Sequence, residues 1–213
     1  MRTISLLALF PCLLFSCTSD DGPPDAAVSC FVGDPGSPPE MELVHHSASG
    51  PPVPFTDNGT VPLILPPQGG KVMLVGVRAR NLDGCPLTIA TALVDPCTQA
   101  VVALERRPVL MEEQADGWLT PLQPAEISNY SNLPACPRAN LTRDVYGQPY
   151  ELVISIEDKA KRKVERRVMI TPTCNQPEFQ EQCECECSQG YTLGGTCEPN
   201  QDAGVAATCD AGI

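Results

Sequence analysis

Cysteine supplies most of the reactive chemistry available to this chain, with 12 thiols in 213 residues. The tightest spacing is Cys183-Glu184-Cys185-Glu186-Cys187. On an extended backbone, alternate side chains share a face, so the three sulfurs would stand about 7 Å apart, too far to bond to one another. Each must then find a partner elsewhere, and Cys174, Cys197 and Cys209 are the thiols nearest in the chain. Two chemistries use such a pattern: disulfide staples in an oxidising compartment, or thiolate ligation of zinc or copper. The remaining thiols, Cys30, Cys85, Cys97 and Cys136, are widely spaced. Cys85 and Cys97 could pair only if the intervening chain folds back. The expected bonds there are Cys85 to Cys97 and Cys30 to Cys136, with a bond from this group to Cys174 as the alternative.

Other reactive residues are sparse. His45 and His46 are the only histidines, and neighbours on a strand face opposite ways, so they would not share a metal. One exposed ring and one packed or hydrogen-bonded ring are expected. A Gly-x-Ser-x-Gly elbow is missing, and Gln68-Gly69-Gly70-Lys71-Val72 lacks the first glycine and the hydroxyl residue of a phosphate loop. No catalytic residue, cofactor or resident metal is therefore assigned. Lys159, Lys161, Arg162, Lys163, Arg166 and Arg167 form a basic cluster that is either a solvated hairpin tip or a grip for an anionic partner. The formal charge of −12 disfavours nucleic acid. A cationic or neutral partner is easier to accommodate.

The beginning of the chain decides which thiol chemistry is expected. Met1 and Arg2 precede an apolar run from Ile4 to Phe15, too short to span a bilayer and suited to the core of a signal peptide. Leu14-Phe15-Ser16-Cys17 resembles the bacterial lipobox, and a secretory cut after Ser16 would be poorly served by Leu14 three residues before the bond. That resemblance implies cleavage before Cys17 and acylation of Cys17, anchoring the protein in a bilayer without a transmembrane helix. Each buried methylene would contribute about 0.8 kcal/mol, and two or more chains give stable anchoring. Thr18 in place of Asp points to the outer membrane of a bacterial envelope. Cys12 leaves with the leader and Cys17 takes lipid, so an even ten thiols remain: Cys30, Cys85, Cys97, Cys136, Cys174, Cys183, Cys185, Cys187, Cys197 and Cys209. An exported chain with an even count favours disulfides. Metal binding by the C-terminal thiols is the alternative.

The elements that must position these residues read as strands. The 23 prolines and 16 glycines are spread along the chain and suit short strands joined by turns. Residues 1–16 form the leader, and 17–39 a polar, acidic, proline-broken tether carrying Cys17. Strand patterns follow at Met41 to His45, Lys71 to Arg80 and Leu87 to Val94. Shorter edge pieces are expected at Val101 to Leu104 and Val109 to Met111, separated by Arg106, Arg107 and Pro108. Tyr150 to Glu157 alternates strictly and should pair antiparallel with Val164 to Thr171 across a hairpin tip at Asp158 to Lys163. No segment shows a sustained helical period.

The expected class is all-β. Residues 40–173 would form a two-sheet sandwich whose strand pattern resembles an immunoglobulin-like or fibronectin-type domain. Trp118 does not occupy the position that antibody domains give their core tryptophan. Residues 174–213, acidic and cysteine-rich, would form a small module held by covalent staples, because so short a segment cannot bury enough apolar surface. Within it, Cys185-Glu186-Cys187-Ser188-Gln189-Gly190-Tyr191 through Cys197 resembles the end of an EGF-like repeat. The calcium-binding acidic signature of that family is missing, and the preceding cysteine spacing departs from it. The whole would be a non-catalytic binding or structural module.

Overall fold

A computed structural model describes residues 30–46, 51–122, 127–139 and 141–197. Cys17, Cys209 and the rest of the expected leader and tether before Cys30 lie outside the described residues. In chain order the strands are β1 (Phe31–Val32), β2 (Glu40–His45), β3 (Val53–Pro54), β4 (Gly59–Pro62), β5 (Lys71–Arg80), β6 (Leu82–Asp83) and β7 (Leu87–Val94). They continue with β8 (Val101–Val109), β9 (Met111–Glu113), β10 (Leu119–Pro121), β11 (Ser131–Cys136), β12 (Tyr150–Glu157) and β13 (Lys163–Thr173), and one helix, α1 (Gln180–Glu186), follows.

Two principal sheets enclose one core. The first runs β3-β2-β5-β10-β9, and β11 joins it by pairing with β5; the second runs β4-β13-β12-β7-β8. Strand β5 organises the first sheet because it is buried on both faces along most of its length: Met73, Val75, Val77 and Ala79 pack against the second sheet. That sheet answers with Leu87, Ile89 and Leu93 of β7 and with Tyr150, Leu152, Ile154 and Ile156 of β12. The hairpin of β12 and β13 pairs in the expected antiparallel sense, with Ile154 opposite Arg166 and Glu157 opposite Lys163. Strand β4 pairs parallel with the end of β13, Ile170 opposite Gly59.

The edge pieces expected around Arg106 to Pro108 are one strand. β8 runs unbroken through Pro108, which lies opposite Thr88 on the edge strand of the sheet, where proline is tolerated. The chain then changes sheets at Leu110, so Val109 and Met111 belong to different layers. Strand β11 has no counterpart in the sequence reading, because Asn132 and Pro134 interrupt its apolar alternation. It pairs with β5 from Val75 to Lys71, with an irregularity between Pro134 and Cys136.

On the outer face of β5, Tyr130 is fully buried over Val72 and Leu74. Its ring lies so close that a Cβ on Gly76 would stand 2.8 Å from Cδ1 and 2.9 Å from Cε1. Gly76→Ala is expected to cost about 1–3 kcal/mol, the usual range for overpacking. A urea midpoint unchanged from that of the parent protein would show that Tyr130 moves freely.

Residues 30–39 belong to the folded body and not to the tether. Cys30 is disulfide-bonded to Cys85, β1 pairs with β6, and the side chain of Asn81 accepts from Asp34 N (2.9 Å) and donates to the Pro38 carbonyl (2.8 Å). The expected pairs Cys85 to Cys97 and Cys30 to Cys136 are thereby both replaced. Pairing β1 with β6 brings Cys30 beside Cys85, a proximity that separation along the chain could not reveal.

The start of the C-terminal module is likewise built onto the sandwich. Cys183 to Cys187 lies on α1 and its C-terminal cap instead of an extended strand. A helix turns about 100° per residue, so Cys183 and Cys187 share one face and Cys185 points away. Cys183 bonds to Cys174 and Cys187 to Cys136, while Cys185 bonds to Cys197. The bond between modules thus runs from Cys136 to Cys187, not to Cys174. Backbone contacts reinforce it: Val145 N donates to the Cys187 carbonyl (2.8 Å), and Gln189 N to Asp144 Oδ1 (2.7 Å).

Candidate functional site

A groove of about 710 Å³ lies at the edge of the sandwich, lined from β2, β4 and the segment entering α1. Strand β2 ends at His45, and the next residue is held by its own backbone, with His46 N donating to the Leu74 carbonyl (3.0 Å). The His45 ring packs edge-on against Phe55, with centroids 5.3 Å apart, and the His46 ring does the same against Tyr130 at 5.3 Å. Both rings are therefore half-buried and packed, so neither is the exposed one expected, and both line the groove.

His45 Nδ1 donates to the His46 carbonyl (3.2 Å), which fixes the neutral tautomer with Nε2 as acceptor. Burial pushes the His45 pKa below the ordinary histidine range, and the backbone contact offsets only part of that shift. The ring is thus neutral at pH 7. The floor is apolar, formed by Ile64 and Leu74, and the exposed side chains of Val53, Ile127 and Phe179 rim it. An apolar floor beside an imidazole acceptor and the Thr60 hydroxyl suits a ligand with an apolar body and a hydrogen-bonding edge. The histidines could be singled out in the sequence. Phe179 could not, because it reaches the groove only through the docking of the C-terminal segment.

The basic cluster gathers at the β12–β13 hairpin as expected, but most of its charge is matched locally. Lys159 pairs with Asp83 (2.9 Å), Lys161 with Glu157 (2.8 Å), Lys163 with Glu165 (3.3 Å) and Arg167 with Glu151 (3.2 Å). Arg162 donates to the Ser37 carbonyl (2.6 Å) and lies over the Phe31 ring, tying the hairpin to the chain after Cys30. Arg166 is exposed on β13. Trp118 is covered by two guanidinium groups, Arg80 at 4.7 Å and Arg78 at 5.1 Å from its ring centre. Arg78 is itself bound by Glu42 (2.7 Å) and Asp116 (2.6 Å), so this face is a closed charge network.

All nine cysteines among the described residues are disulfide-bonded. Eight pair with one another as given above, and the partner of Cys97 lies outside the described residues. No helix among the described residues is long and apolar enough to cross a membrane. No known protein family and no curated protein matches this chain.

Proposed function

We propose that this chain is a lipid-anchored, disulfide-stabilised lipoprotein of the bacterial envelope, acting as a non-catalytic binding module on an immunoglobulin-like sandwich. The observation that supports it best is the oxidised state of every described cysteine, a pattern that favours an oxidising export compartment. Acylation of Cys17 holds the protein at the outer membrane, and the residues between Cys17 and Cys30 act as the tether. The groove at His45 and His46 is the binding face, and an envelope protein or glycan is its partner.

Labelling cells with a radioactive fatty acid tests the anchor. Label should enter the wild-type protein and fall to background in Cys17→Ala, which should also leave the membrane fraction. Equal label in both proteins would overturn the anchor.

A further inference from the structure

Cys97 is disulfide-bonded, and its partner lies outside the described residues. The sequence leaves three candidates, Cys12, Cys17 and Cys209. We infer that Cys97 is bonded to Cys209, so that residues 198–208 form a covalent strap over the cavity between the chain after β11 and the chain leading to Cys197.

Placement selects among the three. Cys85 precedes β7 and Cys97 follows it, so a strand of 8 residues holds the two about 26 Å apart. Cys12 and Cys17 precede Cys30, which is bonded to Cys85 at the far end of that strand. Cys209 follows Cys197, and the contacts that fix Cys197 lead to the near end. Cys197 is bonded to Cys185 on α1. Two residues on, the Cys187 carbonyl accepts from Val145 N (2.8 Å), and two residues before Val145, Arg143 Nη1 donates to Cys97 Sγ (3.3 Å). Cys97 is itself exposed, open to a partner arriving from outside the sandwich. The chain from Cys197 to Cys209 spans up to about 40 Å when extended, enough to cross from one wall of the cavity to Cys97. Forming the bond passes two electrons and two protons from the thiols to a disulfide oxidant, as each of the other bonds requires.

A cavity of about 540 Å³ lies on this path, and Pro137, Arg138, Leu141, Tyr191 and Leu193 are among its walls. Leu141 adjoins Thr142, whose hydroxyl donates to Asp95 beside Cys97 (2.8 Å). Leu193, on the other wall, is 81% exposed and stands shortly before Cys197. Arg138 gives Nε and Nη2 to the Pro134 carbonyl (3.1 and 2.6 Å) and has no carboxylate partner among the described residues. The strap brings Glu198 and Asp202 to that cation and the small apolar run Val205-Ala206-Ala207 to the leucines. No Lys or Arg follows Arg167, so an acidic strap must take its cation from the sandwich. The inference stands on placement and is separate from acylation of Cys17, which would remove one of the same rivals.

Disulfide mapping of the full oxidised protein is the test, with free thiols blocked in denaturant and the chain cut, unreduced, by a glutamate-specific protease and chymotrypsin. A peptide holding Cys97 should be joined to one holding Cys209. Joining to Cys12 or Cys17, or a blocked free thiol at Cys209, would overturn the inference. The same map reads the anchor separately, because an unacylated Cys17 beside a bond from Cys97 to Cys209 would sink the anchor and leave the strap standing. Cleavage of the native protein after Glu198 tests the seat. The wild type should gain one water and keep the severed end until reduced, whereas Cys209→Ser should lose it at once. Arg138→Glu should keep the bond and be cut about fivefold faster, the equilibrium worth of a strong exposed ion pair. An unchanged rate would overturn the seat in the cavity.

Discussion

Glu186→Ala should lower the free energy of unfolding by about 3–5 kcal/mol, the cost of leaving a buried charge without its partner. Lys71 opens β5 with its side chain fully shielded from solvent, and its Nζ meets Glu186 Oε2 at 3.1 Å. The other carboxylate oxygen of Glu186 accepts from Gln182 Nε2 (2.6 Å), so the acid is held on α1 while it faces the sheet. Removing the acid strands an ammonium that cannot reach water. The pair as a whole is a different matter, because its mutual attraction must first repay the desolvation of both ions. Replacing both residues by methionine should therefore change stability by less than about 1.5 kcal/mol, the range of volume-conserving swaps. Urea unfolding of the oxidised protein, followed by the fluorescence of its single tryptophan, measures both variants. A loss below about 1 kcal/mol for Glu186→Ala would mean that α1 is held by its disulfides alone.

Why such a pair went unseen explains much of what the sequence could and could not reveal. Strands whose two faces differ were legible to the residue: Leu87 to Val94 and Tyr150 to Glu157 end where the alternation ends, because burial of one face dictates the period, and Lys71 to Arg80, buried on both faces, was marked by its long apolar run between turns. Lys71 itself read as the polar start of a strand after a turn, since a buried lysine depends on an acid 115 positions away. The cysteines were legible as a set but not as pairs, and the separations of 55 and 51 residues between partners show why. Alternation of Cys and Glu from Cys183 to Cys187 mimicked a strand; seven residues are too few for a helical period to declare itself, and the helix exists because two sulfurs on one of its faces are bonded to the sandwich. The histidine pair was visible by composition alone, whereas the groove around it is made by elements from four parts of the chain.

Asp95→Ala should be comparably damaging, again by about 3–5 kcal/mol, and its pH dependence distinguishes it from a packing defect. Asp95 and Arg143 are both buried at the turn after β7. Asp95 Oδ1 accepts from Cys97 N (2.8 Å) and faces Arg143 Nε (3.7 Å), and Oδ2 accepts from the Thr142 hydroxyl (2.8 Å). The guanidinium also lies 4.5 Å from the Tyr150 ring centre and donates to the Pro149 carbonyl. Tyr150 OH donates in turn to the Asp144 carbonyl (3.0 Å), and Asp144 holds Gln189 N, so the same network fixes the loop on which the C-terminal segment docks. Burial by itself would raise the Asp95 pKa. The Cys97 amide, the Thr142 hydroxyl and the Arg143 charge outweigh it, and the carboxyl titrates below the ordinary aspartate range. As pH falls, the unfolded chain therefore takes up this proton first, near pH 4, and the folded protein only later. The stabilisation is present in full above that range and is lost as pH falls through the folded pKa. Asp95→Asn keeps the size and an acceptor for Cys97 N but removes the charge. Its stability deficit against wild type should be constant from about pH 7 to pH 5 and shrink progressively below pH 4. A deficit that stays constant across the acid range would show that Asp95 acts through packing and not through its charge.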